Sequence, residues 1–309
     1  MYWLIFAATN VILCFFITSY VCFYAGLHRI KNKQDSDINF PDTPQYKPFK
    51  EELIERIKFN KGRPFKEIKI ISWDKKTLYA RLYEAENKKA PLIIFFHGYR
   101  SSPFRDSAGV FDFYNKMGYS LLLVSQRAHD KSEGKFITMG IKEKKDCLDW
   151  INYAEENLTQ SEKIVLCGVS MGGATVLMAA GEKLPTSVKA VISDSAFSSV
   201  KEIMHKVIAE MKLNKKIVYF FIKTGGLIYE KVNLNETDVK KQLKKAKIPI
   251  FFIHSKADTF VPYSMTKECY DLYENEKEFF SVEDAGHGMS YFSNKKGLMT
   301  ELKNFIDRV

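Results

Sequence analysis

Cysteine is scarce in this 309-residue chain, and its five cysteines follow no recognisable spacing. Cys14 and Cys22 lie in the apolar N-terminal region, whereas Cys147, Cys167 and Cys269 stand in segments typical of buried strands and helices. An odd number of cysteines without C-x-x-C pairs argues against a disulfide framework and against a structural zinc site. We therefore expect free thiols.

Signatures of cofactor and nucleic-acid binding are also missing. Neither G-x-G-x-x-G nor a P-loop occurs, and no His/Asp/Glu cluster has metal-ligand spacing, so we expect no cofactor and no metal. The net charge is +10, from 47 basic and 37 acidic residues, but the basic residues are scattered along the chain. Because nucleic-acid binding normally needs a clustered basic face, we expect no nucleic-acid partner, whereas attraction to anionic lipid fits this charge.

Charged residues are absent from residues 2–27, which form one long apolar run. Such a run is long enough to cross a hydrocarbon core of about 30 Å as a helix. We predict a transmembrane anchor over residues 1–28, with membrane lipid as its partner. A cleaved signal peptide is the alternative, but the length of the run, the lack of a preceding basic residue and the poor cleavage site at Tyr24-Ala25-Gly26 favour the anchor.

Basic residues follow the apolar run directly, at Arg29, Lys31 and Lys33. The positive-inside tendency then predicts a single-pass membrane protein with its main domain on the cytoplasmic side; the outward orientation is the alternative.

Residues 29–60 are interpreted as a tether that lifts the domain off the membrane, followed by a short amphipathic helix. Residues 32–48 are polar and contain three prolines, as in a linker. Apolar residues then recur at helical spacing, at Leu53, Ile54, Ile57 and Phe59. We expect this helix to pack on the domain rather than on the lipid surface.

A serine stands at the apex of a predicted strand, turn and helix. Gly168-Val169-Ser170-Met171-Gly172 follows an apolar run, and a helix is predicted over residues 171–182. Glycine at both flanking positions avoids collisions in a sharp turn, and the helix N-terminus favours negative charge developing beside the serine. Ser170 is therefore the candidate nucleophile, although this pentapeptide alone also fits an ordinary Ser/Gly loop.

Three further segments follow predicted strands and carry polar residues suited to the same chemistry. One strand pattern ends at His97-Gly98-Tyr99, a second precedes Asp258, and a third precedes Asp284-Ala285-Gly286-His287-Gly288. The resulting chain order of serine, aspartate and histidine is that of α/β hydrolases.

On these motifs, the chain from about residue 67 onward resembles an α/β-hydrolase domain. It is most similar to the serine-aminopeptidase-like and acylaminoacyl-peptidase-like branch, which includes members with an N-terminal membrane anchor. Arg127-Ala128-His129-Asp130-Lys131-Ser132-Glu133-Gly134 resembles the family's R-x-H-x-x-S-x-G loop, and Asp194-Ser195-Ala196-Phe197 resembles its acidic loop. The resemblance implies an α/β fold with a mostly parallel eight-stranded sheet, helices on both faces and a small helical lid.

We place this domain at residues 61–309 and the lid at about 198–247; an ordinary helix pair filling one face of the sheet is the alternative to a lid. Alternating apolar and amphipathic patterns predict the remaining elements. An antiparallel edge hairpin is expected at 68–73 and 78–83, with later strands at 92–96, 120–124, 164–167, 188–193, 250–254 and 278–282. Helices are expected at 106–117, 141–157, 171–182, 263–274 and 289–308.

The candidate site residues then take complementary roles. His287 is expected to accept the proton of Ser170, and Asp258 to fix the imidazole tautomer. The backbone N–H of Met171 is expected to donate to the oxyanion, and the resemblance implies the N–H of Tyr99 as a second donor.

Other residues remain alternatives or structural candidates. Asp194 or Asp284 is the alternative acid. The residues interpreted as structural are His97, Arg127, His129 and His254.

The favoured function is a membrane-anchored serine hydrolase that cleaves a small-molecule ester, thioester or amide through an acyl-enzyme, with short-to-medium acyl chains preferred. A small-peptide or acylaminoacyl peptidase, an acyltransferase with the same triad, and a non-catalytic ligand-binding protein are the alternatives. The sequence leaves the oligomeric state open.

Overall fold

The computed structural model describes residues 1–29, 36–38, 44, 46–158 and 161–309. Most of the predicted tether therefore lies outside the described residues.

The described residues form one eight-stranded sheet with the order β1-β2-β4-β3-β5-β6-β7-β8. The strands are β1 (Lys66–Ile71), β2 (Thr77–Tyr83), β3 (Leu92–Phe96), β4 (Ser120–Ser125), β5 (Ile164–Val169), β6 (Val188–Asp194), β7 (Ile250–Ser255) and β8 (Lys277–Val282).

The sheet has an antiparallel edge and a parallel remainder. β1 pairs antiparallel with β2, and β2 with β4, while β3 to β8 pair in parallel. The predicted edge hairpin and mostly parallel eight-stranded sheet are thus confirmed. β3, β5 and β7 are buried along their whole length, as expected for strands covered by helices on both faces.

The first strand begins and ends two residues before its predicted position. Ser72 leaves the strand because its N–H bonds the Lys76 carbonyl at 2.8 Å, and Lys75 has a φ of 63°. This turn moves residues 72–76 out of the sheet.

Helices cover the sheet and extend to the N-terminus. They are α1 (Tyr2–Leu27), α2 (Lys50–Gly62), α3 (Pro103–Ser107), α4 (Phe111–Lys116), α5 (Glu143–Asn157), α6 (Met171–Ala180), α7 (Val200–Glu210), α8 (Lys215–Tyr229), α9 (Val239–Leu243), α10 (Tyr263–Leu272), α11 (Ser290–Ser293) and α12 (Lys295–Arg308).

Two predicted helices are each divided in the structure. The structure has two helices, α3 and α4, in place of the one expected at 106–117. The Ser102 side chain accepts the Arg105 N–H at 3.2 Å and caps the start of α3. The Val110 N–H donates to the Ser107 carbonyl at 3.1 Å, in the turn that separates α3 from α4. The helix expected at 289–308 is α11 and α12, because the Asn294 side chain accepts the Gly297 N–H at 3.0 Å and starts a new helix.

Apolar side chains pack on both faces of the sheet. One cluster joins alternate strand residues to α5 and α6 around Trp150, and the other joins the remaining strand residues to α4 and α12 around Phe305. Leu53 and Ile57 of α2 are fully buried in the second cluster, so α2 packs on the domain.

The C-terminal end of α1 is built into the domain. Ser19, Phe23 and Leu27 are buried, and an added Cβ at Gly225 of α8 would lie 2.4 Å from Phe23 Cβ, so glycine lets the two helices touch. The Arg29 side chain also donates to the Asp130 carbonyl at 2.9 Å. The domain therefore lies directly against α1, which differs from the predicted tether that holds the two apart.

Candidate active site

Ser170 lies at a sharply strained turn between β5 and α6. Its φ and ψ are 56° and −118°, outside the regions that ordinary residues occupy, which typically costs about 1–3 kcal/mol. The Ser170 N–H donates to the Asp194 carbonyl at 2.8 Å, and its own carbonyl accepts the Ala174 N–H at 2.9 Å. These bonds fix the serine at the end of the strand, and the residue is 6% exposed.

The glycines that flank Ser170 have no room for a side chain. An added Cβ at Gly172 would lie 2.0 Å from the Phe96 carbonyl oxygen, and one at Gly168 would lie 2.4 Å from the Gly172 carbonyl carbon. Because backbone atoms on both sides set these distances, the turn tolerates only glycine at the two positions.

Asp258 and His287 are brought together from two loops at the carboxyl edge of the sheet. His287 Nδ1 donates to Asp258 Oδ2 at 2.6 Å. The other carboxylate oxygen, Oδ1, accepts the backbone N–H groups of Phe260 and Val261 at 2.8 and 2.9 Å. The Asp258 side chain is fully buried, so its orientation is set by these bonds.

Burial and charge act in opposite directions on this pair. Burial raises the pKa of Asp258, but His287 and His254 more than offset it, and the pKa is well below its usual range. Burial lowers the pKa of His287, but the Asp258 carboxylate outweighs it, and the pKa is above its usual 6.5. The carboxylate is therefore ionised and stabilises an imidazolium on His287.

His254 is a second histidine on the same carboxylate. Its Nε2 lies 3.1 Å from Asp258 Oδ2 and 3.0 Å from the Val261 carbonyl oxygen. Both of these oxygens are acceptors, so Nε2 carries a proton. Its Nδ1 lies 2.7 Å from Thr266 Oγ1, and the imidazole is fully buried.

The interpretation of His254 as a strand-end packing residue is therefore incomplete. The sequence signal that points to it is its position four residues before Asp258, at the end of a buried strand. That spacing alone does not say that the two side chains face each other.

The two alternative acids lie elsewhere. Asp194 accepts from the Ser195 hydroxyl at 2.8 Å, and burial raises its pKa to about 6. Asp284 is exposed and accepts from the Ser293 hydroxyl at 2.6 Å. Within the described residues neither carboxylate hydrogen-bonds to a histidine, whereas Asp258 bonds to two.

The predicted oxyanion donors flank Ser170. Met171 N–H is the first of α6, and Tyr99 follows Gly98, whose added Cβ would lie 3.2 Å from Ser170 Cβ. Within the described part of the chain neither N–H donates a hydrogen bond to another residue. Both amides thus remain available beside the serine.

Asp106, which the sequence interpretation missed, supports the loop that carries Tyr99. Its Oδ2 accepts the Gly98 N–H at 2.6 Å, and its Oδ1 accepts the Ser101 hydroxyl at 2.6 Å. Burial raises the pKa of Asp106. No sequence motif marks this residue, because the contact depends on α3 folding back over the loop.

The remaining histidines and the arginine that the sequence analysis singled out hold loops in place. Arg127 pairs with Asp146 at 2.6 Å and with Asp74 at 3.0 Å, while His129 Nε2 accepts the Arg100 N–H at 3.0 Å. His97 Nε2 accepts the backbone N–H that follows β4 at 3.1 Å. These contacts agree with the structural roles that the sequence suggests.

Two cavities adjoin Ser170. A cavity of about 410 Å³ is lined by Ser170, His287, Tyr99 and Ser101, among others, and is called the polar cavity because many of its lining residues carry charged or hydroxyl groups. An apolar cavity of about 410 Å³ is lined by Ser170, Met171 and residues of α1, α7 and α8. Ser170 and His287 share the polar cavity, although no hydrogen bond joins their side chains within the described residues.

Over the same residues, no group of three or more His, Cys, Asp or Glu side chains is arranged to hold a metal ion.

Sequence comparison matches the chain to a known family. The model of the prolyl oligopeptidase family matches residues 110–309. The uncharacterized protein YqkD of Bacillus subtilis is 27% identical over 198 residues, which are 62% of this chain and 64% of YqkD. The uncharacterized protein YfhR of Escherichia coli O157:H7 is 25% identical over 191 residues, 61% of this chain and 60% of YfhR. The chain thus spans less than two thirds of these relatives.

Solved structures share the fold. The esterase Pf2001 of Pyrococcus furiosus superposes with a TM-score of 0.68 at 21% identity, covering 91% of this chain and 97% of the esterase. The acylaminoacyl peptidase of Pyrococcus horikoshii superposes with a TM-score of 0.57 at 21% identity, covering 81% of this chain and 42% of that chain. The chain belongs to the prolyl oligopeptidase family and has the α/β-hydrolase fold.

Proposed function

We propose that this serine hydrolase is a membrane-anchored esterase that forms an acyl-enzyme on Ser170, with His287 as general base and Asp258 as its orienting acid. The observation that carries the proposal is the 2.6 Å bond between His287 and Asp258 beside a serine held in a strained turn. Because Nδ1 donates to the carboxylate, Nε2 is the nitrogen free to accept a proton from the hydroxyl.

The reaction then proceeds in two halves. Ser170 Oγ attacks the carbonyl carbon as its proton passes to His287 Nε2, and the Tyr99 and Met171 N–H groups stabilise the oxyanion. Collapse expels the alcohol, which takes the proton from His287. Water repeats the sequence on the acyl-enzyme, releasing the acid and restoring the serine.

A fluorophosphonate probe tests the nucleophile. Labelling of the full-length protein should disappear in Ser170→Ala and fall sharply in His287→Ala. The matched control is Ser195→Ala, because Ser195 is also buried and also has a positive φ (52°). Labelling of the Ser170→Ala protein at the wild-type level would end the proposal.

An activity panel separates the esterase from the peptidase that the family match also suggests. We expect faster turnover of 4-nitrophenyl esters than of aminoacyl and peptidyl 4-nitroanilides. Preference for amides with a free N-terminus would favour the peptidase. Transfer of the acyl group to added alcohols would identify an acyltransferase, and ligand binding without probe labelling would identify a non-catalytic protein.

The anchor rests on α1, whose 26 residues span about 39 Å at 1.5 Å per residue and include an 18-residue stretch with a mean hydropathy of 2.1. Residues 1–14 are all exposed, so a long apolar surface has no protein cover within the described residues. The basic residues after α1 support a cytoplasmic domain. We expect the chain to resist carbonate extraction from membranes and to be protected from protease added outside intact spheroplasts. Release by carbonate, or digestion in spheroplasts, would refute the anchor or the orientation respectively.

Cleavage as a signal sequence would remove contacts that the domain makes. Each of the last four carbonyls of α1 accepts a hydrogen bond. The Tyr24 carbonyl accepts the His28 N–H, and the Leu27 carbonyl accepts the Ile137 N–H. The Ala25 carbonyl accepts from the Arg100 side chain, and the Gly26 carbonyl from the Tyr99 hydroxyl. The mass of the mature chain should therefore include α1, and a mature N-terminus after residue 25 would contradict this.

A further inference from the structure

The apolar cavity beside Ser170 takes one of its walls from α1. Val21, Cys22, Ala25 and Gly26 line it, opposite residues of α7 and α8 such as Met204. The hydroxyl of Tyr99 and the guanidinium of Arg100 also border this cavity, but both are bonded to α1 carbonyls. Because these two polar groups are bonded to α1, the surface that a ligand would contact consists mainly of aliphatic, aromatic and sulfur-containing side chains.

The cavity is large enough for a medium-length acyl chain. If each methylene needs about the volume of one water molecule, roughly 30 Å³, a cavity of about 410 Å³ accommodates an acyl chain of about a dozen carbons. The polar cavity on the same serine leaves separate space for the leaving group. A chain of about a dozen carbons lies at the upper end of the short-to-medium range expected from the sequence.

The apolar surface next to this cavity indicates that the ligand would come from a membrane. The N-terminal half of α1 is exposed and apolar, and the outer side of α8 continues that surface with Ile217, Phe220, Leu227 and Ile228. The hydroxyl of Tyr229 bonds the Phe16 carbonyl at 2.9 Å, which holds the two helices together. If α1 is embedded in lipid, the cavity lies where the helix leaves the bilayer.

We propose that this cavity is an acyl-binding chamber for a chain of about a dozen carbons in a lipid ester, and that α1 forms part of the substrate site as well as an anchor. The proposal rests on the esterase function proposed above and names its substrate class. The ester carbonyl is placed at Ser170, the chain lies between α1 and the α7–α8 pair, and the alcohol faces the polar cavity.

A chain-length series on the full-length protein in detergent tests the chamber. For 4-nitrophenyl esters from acetate to hexadecanoate, kcat/KM should rise by about fourfold per methylene until the chamber is full, near twelve carbons. Ala25→Trp places an indole in the chamber from α1, and the ratio of kcat/KM for dodecanoate to that for acetate should fall at least tenfold.

Ala8→Trp is the matched control, because Ala8 lies on the same helix, is exposed and does not line the cavity. It should leave the chain-length profile unchanged. Met204→Ala enlarges the chamber from the opposite wall and should move the preferred length upward by two or three carbons. Probe labelling of each variant shows that the serine is still assembled.

The outcomes separate the two proposals. A flat profile in a labelled, active wild-type protein, or identical profiles for Ala25→Trp and Ala8→Trp, would overturn the acyl chamber and leave the esterase standing. No labelling and no hydrolysis of any ester would overturn the esterase and the chamber with it.

Discussion

Replacing Asp258 by asparagine tests the proposed triad at the carboxylate whose hydrogen-bond partners the structure defines most fully. The carboxylate accepts four hydrogen bonds, two from the Phe260 and Val261 N–H groups and two from His287 and His254. An amide has only one oxygen, so Asp258→Asn preserves the shape of the side chain and cannot satisfy both pairs.

Either orientation of the amide has a defined cost. With its oxygen toward the two backbone N–H groups, its NH₂ faces His287 Nδ1, which must then accept a bond. The imidazole proton moves to Nε2, and that nitrogen can no longer take the proton of Ser170. With the amide reversed, NH₂ faces two buried backbone donors, at about 1–3 kcal/mol for each unsatisfied group.

The first orientation leaves the fold intact and removes the base. By comparison with the same change in other serine triads, kcat should fall by about 10³–10⁴-fold, or about 4–5.5 kcal/mol of transition-state stabilisation. The assay is the initial rate on 4-nitrophenyl butyrate at pH 8, with thermal unfolding measured to show that the variant is folded.

Asp284→Asn is the matched control for this change, since Asp284 is exposed and bonds only to Ser293 among the described residues. It should retain activity within a factor of two. If Asp258→Asn kept more than one tenth of the wild-type rate, the proposed role of this carboxylate would be refuted, and Asp194→Asn would be the next variant to measure.

Three further predictions concern the same site. His254→Gln removes one charge-assisted bond to Asp258, so kcat should fall by about 10–100-fold with KM little changed; a change below twofold would show that the second histidine does not position the carboxylate. Because Asp258 raises the pKa of His287 and only the neutral imidazole accepts a proton, kcat/KM should fall on the acid side with a midpoint above pH 6.5. A midpoint below 6.5 would contradict this sign. Gly172→Ala puts a methyl group 2.0 Å from a strand carbonyl and should abolish probe labelling and lower the melting temperature, whereas Gly62→Ala, with nothing within 4 Å, should leave both unchanged or slightly raise stability. Normal labelling of the Gly172→Ala protein would show that the turn at Ser170 can relax.

Much of the fold was open to prediction because its signals are local. The apolar runs of β3, β5 and β7 mark buried strands, and two glycines around Ser170 mark a turn in which backbone atoms meet. Element ends were less predictable. The split between α3 and α4 depends on Ser102 capping a helix three residues earlier than the periodicity suggests.

The residues of the proposed site could be named from the sequence, whereas the residues that support them could not. The order of Ser170, Asp258 and His287 along the chain follows from motifs after predicted strands. The roles of His254 and Asp106 do not, because each depends on the direction of a buried side chain toward a loop. Neither spacing nor residue type reveals that direction.

The sequence by itself determined a membrane-length apolar helix, an α/β domain and a strained serine turn, because helix length, strand periodicity and glycine sterics act between near neighbours in the chain. Only the tertiary structure decided that α1 closes against α7 and α8 and lines the apolar cavity at Ser170. That contact joins segments about 180 residues apart, and its existence depends on shape and packing that no local pattern encodes.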